Sequence, residues 1–380
     1  MNLSVAKNIP NAKEVKEKID QRMYEEKSKS IKTVAVLFGG CSPEYSVSLQ
    51  SASAVIQQID QTRYDLVLIG ISKKGEWFLF EGDPQIIEDD SWCNKKYCVP
   101  VYVSQNRTER CVVIFRNEKL EKKHIDVALP IMHGKNGEDG TVQGVFELAG
   151  IPIIGCGVLA SALCMDKDRA HKMVSTVGVS VPKSFTINKS MDVKGFMNKA
   201  NEMGYPLFVK PIRAGSSFGI TKISDCNEFI VACERAFTYD ENIIIEEFIE
   251  GFEVGCAVLG NEKLIVGEID EIELSKGFFD FDEKYSLKTS SIHVPARISD
   301  ETAKRIKETA KLIYKCLDCK DFARVDMFLT SNEEIVFNEV NTIPGFTSHS
   351  RYPNMMKAAG ITFKQIVERL LELGGEICES

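Results

Sequence analysis

The chain predicts an α/β fold, and three observations carry that expectation. Thr33-Val-Ala-Val-Leu-Phe38 is an apolar run that stops at Gly39-Gly40, and Ser46–Ile59 follows with helical character. Strand, glycine turn and helix are the opening unit of a parallel α/β sheet. Short apolar runs and helical segments then alternate along the rest of the chain. With 380 residues, 44% of them hydrophobic, it can bury two or three separate cores.

Each element has its own justification. Residues 1–30 are polar and charged (Lys13, Glu14, Lys16, Glu17, Lys18, Glu25, Glu26, Lys27) and read as a solvated lead-in with no chemistry assigned. After the opening unit, Asp65–Ile71 and Asp126–Ile131 are strands, Gly140–Leu148 is helical and Ile151–Ile154 is a short strand. Val158–Cys164, Lys167–Val177 and Met191–Met203 read as helices, with strands at Phe185–Ile187 and Pro206–Lys210. A Gly/Ser turn leads to Gly219–Ile223, a helix over Asn227–Phe237 and a strand at Ile243–Ile245. Longer strands follow at Glu253–Leu259 and Leu264–Ile272. Residues 273–292 are polar around Gly277-Phe-Phe-Asp280 and read as a long loop, the type of segment often used as a lid. Glu301–Cys316 is a strong amphipathic helix.

Composition excludes several classes of function. A net charge of −8 argues against a general binder of nucleic acid or anionic membrane. No run approaches the roughly 18 apolar residues of a membrane span. The first residues lack the apolar core of an export signal, so the 12 cysteines are expected as reduced cytoplasmic thiols. Cys316 and Cys319 form a single C-x-x-C, for which buried thiols are the favoured reading over zinc.

Chemistry concentrates near the C-terminus. Arg324-Val-Asp326 is followed by Asn338-Glu339-Val-Asn341-Thr-Ile-Pro-Gly345 and Ser348-His349-Ser350-Arg351. Asp326, Glu339 and Asn341 are hard oxygen ligands suited to Mg²⁺, which holds nucleotide phosphates with one or two carboxylates. Arg324 lies two residues before Asp326, so a strand turns both to one face. A cation beside a metal site suits a reaction that develops negative charge.

Four further segments stand out. Gly39-Gly40-Cys-Ser42-Pro-Glu44 closes the first strand, where open α/β sheets bind ligands, although Glu44 in isolation reads rather as a charge that favours a helix start. His133-Gly-Lys-Asn-Gly137-Glu138-Asp139-Gly140 shapes a substrate loop or a turn before a helix. Lys210-Pro-Ile-Arg213-Ala-Gly215-Ser216-Ser217-Phe-Gly219 lies between two strands, as a phosphate cradle or a hairpin turn. It does not match the P-loop pattern. Lys284-Tyr285 ends the long loop.

Together these motifs resemble the D-alanine–D-alanine ligase family of the ATP-grasp fold, in family order and over roughly residues 32–372. The resemblance implies three α/β domains with ATP between the central and C-terminal ones. The implied boundaries are an extension at 1–30, then domains at 31–151, 152–247 and 248–380, the last carrying the lid at 273–292. Lys167, Lys210 and Ser217 would face the nucleotide phosphates, with Glu246, Glu247 and Glu253 around the adenosine. Asp326, Glu339 and Asn341 would hold two Mg²⁺ (or Mn²⁺) ions. Glu44 would receive the ammonium of the first D-amino acid, and Ser216 and Tyr285 would hydrogen-bond with it. Arg324 and the Gly345 N–H would form the oxyanion hole. Ser350 and Lys284 would receive the second amino acid's carboxylate, and His133 would lie near the first substrate. A homodimer is implied as well.

The second substrate is the finer question. Most family members carry a hydrophobic residue, typically leucine, where this chain has Arg351, and tend to have tyrosine at Phe279. Both departures resemble vancomycin-resistance D-alanine–D-serine ligases of the VanG type. An arginine at the second subsite can hydrogen-bond a serine hydroxyl, so the expected product is D-alanyl-D-serine for peptidoglycan precursors. Tyr285 argues against a D-lactate enzyme. The alternatives are a housekeeping D-alanine–D-alanine ligase and a non-catalytic nucleotide-binding module. The second is disfavoured, because Arg324, Asp326, Glu339, Asn341 and Ser350 are all retained.

Overall fold

The computed structural model describes residues 31–274 and 290–379. Residues 1–30 and the stretch carrying Phe279, Lys284 and Tyr285 lie outside the described residues.

Three sheets organise the described residues. The first begins with β1 (Lys32–Gly39), helix α1 (Tyr45–Ile56) and β2 (Tyr64–Ile71). It continues through β3 (Trp77–Phe80), a short α2 (Gln85–Glu88), β4 (Cys98–Val103), β5 (Cys111–Arg116), β6 (Lys119–His124) and β7 (Val127–Pro130). β1 pairs in parallel with β2 and β7, as the opening unit requires, and Leu49, Ala52 and Val55 of α1 share a core with Val36 and Phe38. The sheet is nevertheless mixed, because β2 to β6 pair antiparallel. Of these, β4 (Cys-Val-Pro-Val-Tyr-Val) and β5 (Cys-Val-Val-Ile-Phe-Arg) carry strand-type runs that the expectations above leave unassigned. β6 reads Lys-Leu-Glu-Lys-Lys-His, the charged edge that discourages further pairing.

Helices α3 (Thr141–Leu148), α4 (Val158–Met165) and α5 (Lys167–Ser175) lead to the second sheet. Its strands are β8 (Ser184–Asn188), β9 (Leu207–Pro211), β10 (Thr221–Ile223) and β11 (Asn242–Glu247), all antiparallel in the order β10-β9-β11-β8. Helices α6 (Met197–Met203) and α7 (Phe229–Ala236) accompany it.

The third sheet contains β12 (Gly251–Leu259), β13 (Ile265–Val266), β14 (Asp270–Leu274) and β15 (Ser290–His293). Helix α8 (Asp300–Cys316), β16 (Phe322–Thr330), β17 (Ile335–Asn341), α9 (Arg351–Ala358) and α10 (Phe363–Glu379) complete the fold. Phe322, Phe346, Tyr352 and Met355 share one core with Phe38 and Leu129, so the first and third sheets are joined by a common interior.

Four expectations change. Ile151–Ile154 is not a strand, and only Ile153 bridges Ala128, since Pro152 has no N–H to extend a ladder. Leu264–Ile272 splits into β13 and β14 around Gly267, where a Cβ would lie 3.0 Å from Met355 of α9. Met191–Met203 begins later, as a 3₁₀ turn at Val193–Phe196 capped by Asp192, and becomes α6. The ends of the loop at 273–292 belong to paired strands, with Glu271 opposite His293 and Glu273 opposite Ser291.

Candidate active site where the three sheets meet

Glu44 precedes α1 at the C-terminal end of β1, and its side chain is buried. Ser216 Oγ donates to Glu44 Oε1 from the loop between β9 and β10. Two glycines make room for this carboxylate. A Cβ on Gly134 would lie 2.1 Å from Glu44 Oε2, and one on Gly215 would lie 2.8 Å from it. Ser42 Oγ donates to the His133 carbonyl at 2.7 Å, fixing the two loops together. The result is an enclosed carboxylate fit for a small ammonium group.

Ser216 and Ser217 adopt positive φ values of 48° and 59°. Two consecutive left-handed non-glycine residues are costly and mark a loop held for function. Lys167 Nζ donates to the Ala214 carbonyl of this loop at 2.9 Å and lies 3.4 Å from Glu339 Oε2.

Lys167, Lys210, Ser217, Glu246, Glu247 and Glu253 all line one cleft of about 430 Å³, together with Glu339 and the apolar walls Phe208, Phe248, Ile272 and Phe328. All six residues assigned to the nucleotide are therefore brought together. Lys210 Nζ bonds Glu246 Oε2 at 2.6 Å. Burial would raise the Glu246 carboxyl, but Lys210 and His171 outweigh it and hold it below its usual value. Glu246 Oε1 and His171 Nδ1, both buried and 3.7 Å apart, have no hydrogen-bond partner among the described residues. Unsatisfied buried polar atoms at the side of a cleft are what a hydrogen-bonding ligand is expected to complete.

β16 and β17 hold the acidic cluster. Their antiparallel register sets Arg324 opposite Asn341 and Asp326 opposite Glu339. A bulge follows, and the Asn338 carbonyl accepts from His171 Nε2 at 2.8 Å. Arg324 donates to Asp326 through Nε at 2.8 Å and Nη2 at 2.8 Å, and Asn341 Nδ2 adds a bond at 2.9 Å. Burial disfavours the Arg324 charge, yet Asp326 outweighs it and raises the guanidinium above its usual value. Two carboxylates and an amide oxygen beside the cleft fit Mg²⁺, which leaves its remaining positions to phosphate and water.

Arg351 opens α9 and is buried, so it is not a peripheral surface residue. It bonds Asp270 through Nε at 2.7 Å and Nη2 at 2.8 Å, and Glu253 through Nη1 at 2.7 Å. Its Nη2 is also 3.4 Å from Asp326 Oδ1. Ser350, the N-cap residue of α9, bonds Thr347 and lies against Gly345, where a Cβ would be 3.1 Å from Ser350 Oγ.

His133 is buried and braces the loop after β17, with Nδ1 2.8 Å from the Ile343 carbonyl and Nε2 3.0 Å from Ser51 Oγ. A carbonyl only accepts, so Nδ1 carries the hydrogen and Nε2 accepts from the serine. Burial pushes the ring's pKa down to about 4. Glu138 is pushed up by burial and by the charge of Glu44.

Sequence reasoning missed Asp270, His171 and Ser51. Asp270 lies in Glu-Ile-Asp-Glu-Ile-Glu, where four acids offer no signal for which of them pairs with Arg351. His171 follows Lys167 by one helical turn, which was the available clue. The two sulfurs of the C-x-x-C turn to different partners: Cys319 is buried 3.7 Å from Cys164, and the half-buried Cys316 faces the Met173 carbonyl.

Comparison with known proteins follows the same lines. Family models described as the D-ala D-ala ligase N-terminus and C-terminus match residues 33–156 and 173–372. The chain is 44% identical to the vancomycin/teicoplanin A-type resistance protein VanA of Enterococcus faecium over 345 residues, covering 90% of this chain and 97% of VanA. It is 41% identical to a D-alanine–D-alanine ligase of Caldicellulosiruptor bescii, covering 90% and 95%. The solved VanG D-Ala:D-Ser ligase from Enterococcus faecalis superposes with a TM-score of 0.85 at 55% identity, covering 91% of this chain and all of that one.

Proposed function

This chain belongs to the D-alanine–D-alanine ligase family of ATP-dependent, peptide-bond-forming enzymes, and from that premise we propose that it joins D-alanine to D-serine through a D-alanyl phosphate. The observation that carries the serine reading is Arg351, buried and two-point paired to Asp270 at the start of α9. A methyl-lined subsite rejects an added hydroxyl only weakly, whereas a site built to hydrogen-bond that hydroxyl rejects the analogue lacking it strongly. The VanG ligase named above supports the same reading.

The proposed chemistry uses the residues in the following way. Glu44 anchors the ammonium of D-alanine, and Ser216 orients Glu44. The D-alanine carboxylate attacks the γ-phosphate of ATP, giving an acyl phosphate and ADP. Lys167 and Lys210 hold the phosphates in line, since phosphoryl transfer depends on positioning and charge. Asp326, Glu339 and Asn341 are the residues that would hold Mg²⁺, which supplies charge neutralisation at the phosphates when bound. The amine of D-serine then attacks the acyl carbon, and phosphate leaves. Arg324 and the Gly345 N–H face the developing oxyanion. The carboxylate of D-serine lies at Ser350 and the α9 N-terminus, where helix dipoles favour anions. The roles that the family resemblance implies for Phe279, Lys284 and Tyr285 fall on residues outside the described structure.

The same proposal includes a homodimer, a cytoplasmic setting and a role in vancomycin-resistant peptidoglycan precursors. No described helix is long and apolar enough to cross a membrane.

The test is product identity. The protein is incubated with Mg²⁺-ATP and equimolar D-alanine and D-serine at neutral pH, and dipeptides are resolved by mass. D-alanyl-D-serine as the main product supports the reading. Mostly D-alanyl-D-alanine makes it a housekeeping ligase and overturns the assignment of Arg351.

A further inference from the structure

The loop leaving β17 carries Gly345, yet side chains from the first-sheet region grip it on both sides of that glycine. The Ile343 N–H donates to Glu138 Oε1 at 2.8 Å, and the Phe346 N–H donates to Ser51 Oγ at 3.2 Å. The other carboxylate oxygen of Glu138 accepts from the Gly134 N–H at 2.8 Å. Gly134 in turn packs against the carboxylate of Glu44, with no room for a Cβ between them. One carboxylate therefore joins the backbone beside Glu44 to the backbone beside Gly345. Ser51 closes the opposite side from α1, about two helix turns beyond Glu44.

We propose that Glu138 and Ser51 are positioning residues for the ligation. Between them they fix the Gly345 amide relative to Glu44, so that the oxyanion donor and the anchor of the first substrate keep one spacing. The proposal rests on the ligase reading, in which the Gly345 N–H faces the tetrahedral oxyanion. Neither residue touches the reacting atoms. Their effect is geometric, and a misplacement of about 1 Å can cost on the order of 100-fold in rate.

Glu138→Gln and Ser51→Ala, each in the full chain, test this. The glutamine keeps the shape, but its amide oxygen accepts from only one of the two N–H groups. We expect kcat for dipeptide formation to fall about 10- to 100-fold in Glu138→Gln and several-fold in Ser51→Ala. ADP affinity by calorimetry and KM for D-alanine stay within about threefold in both. Wild-type kcat in both folded variants overturns the proposal. So does a loss of ADP affinity in proportion to kcat, which a merely structural role gives. If Glu138→Gln does not fold, Ser51→Ala decides, since it deletes a single oxygen. The wild-type chain is assayed first: no ATP-dependent dipeptide there sinks the ligase reading, and this inference with it, whatever the variants do.

Discussion

Arg351 and Asp270 form a two-point ion pair in the interior, Nε to Oδ2 at 2.7 Å and Nη2 to Oδ1 at 2.8 Å. The Gly255 N–H also donates to Asp270 Oδ1 at 2.8 Å. Burial opposes the Arg351 charge, but Asp270 and Asp326 outweigh it and raise the guanidinium well above its ordinary value. A fully buried ion pair contributes little net stability, so its value lies in fixing the orientation of its donors. The guanidinium is thereby held rigid between the acidic cluster and the start of α9.

Replacing Arg351 with leucine restores the residue typical of the family at this position. We expect the ratio of kcat/KM for D-serine over D-alanine to fall by at least tenfold. Steady-state dipeptide assays measure it. An unchanged ratio removes Arg351 from the specificity argument.

Gly255→Ala tests the pair without substituting either partner. A Cβ at Gly255 would lie 2.5 Å from Arg351 Nη2 and 2.6 Å from Asp270 Oδ1. Neither group can withdraw without breaking its bonds. The variant should lose D-serine preference much as Arg351→Leu does, and be destabilised by about 1–3 kcal/mol in urea denaturation. Wild-type selectivity at lowered stability would separate the pair from specificity.

Arg324→Ala should reduce ligation by about 10²–10³-fold, the usual effect of removing an oxyanion donor. Arg324 is absent from the cleft lining that contains Lys167 and Lys210, so ADP affinity by calorimetry should change little. Wild-type turnover in this variant would refute the role.

The sequence displayed its local chemistry and hid its long-range partners. Arg324, Asp326, Glu339 and Asn341 were legible because a two-residue strand period aligns them, and the β16–β17 register keeps that alignment. The residues assigned to the nucleotide were named through family motifs, and one cleft gathers them. Asp270 was not, since its partner Arg351 lies 81 residues away and nothing local marks it. In the antiparallel half of the first sheet, only β6 was hidden for a related reason, since β4 and β5 are rich in β-branched residues. β6 is a charged edge whose pairing with β5, not its composition, makes it a strand.

His133 gives the pH prediction. Its folded pKa is lowered to about 4 from the ordinary 6.5, because burial disfavours the charged ring and the nearby Arg324 charge adds to this, outweighing the opposing hydrogen bond to Ile343. Between these values the unfolded chain binds a proton that the folded chain does not. Stability therefore falls as pH drops from about 6.5 toward about 4, and changes no further from this group outside that window. At about 1.4 kcal/mol per pH unit, the loss approaches about 3 kcal/mol. His133→Asn removes the titrating group. The difference in urea midpoint between pH 7 and pH 5 should therefore be smaller in the variant than in the wild type. Equal differences in the two proteins would mean that the ring is not held neutral, and that the brace on Ile343 does not depend on its tautomer.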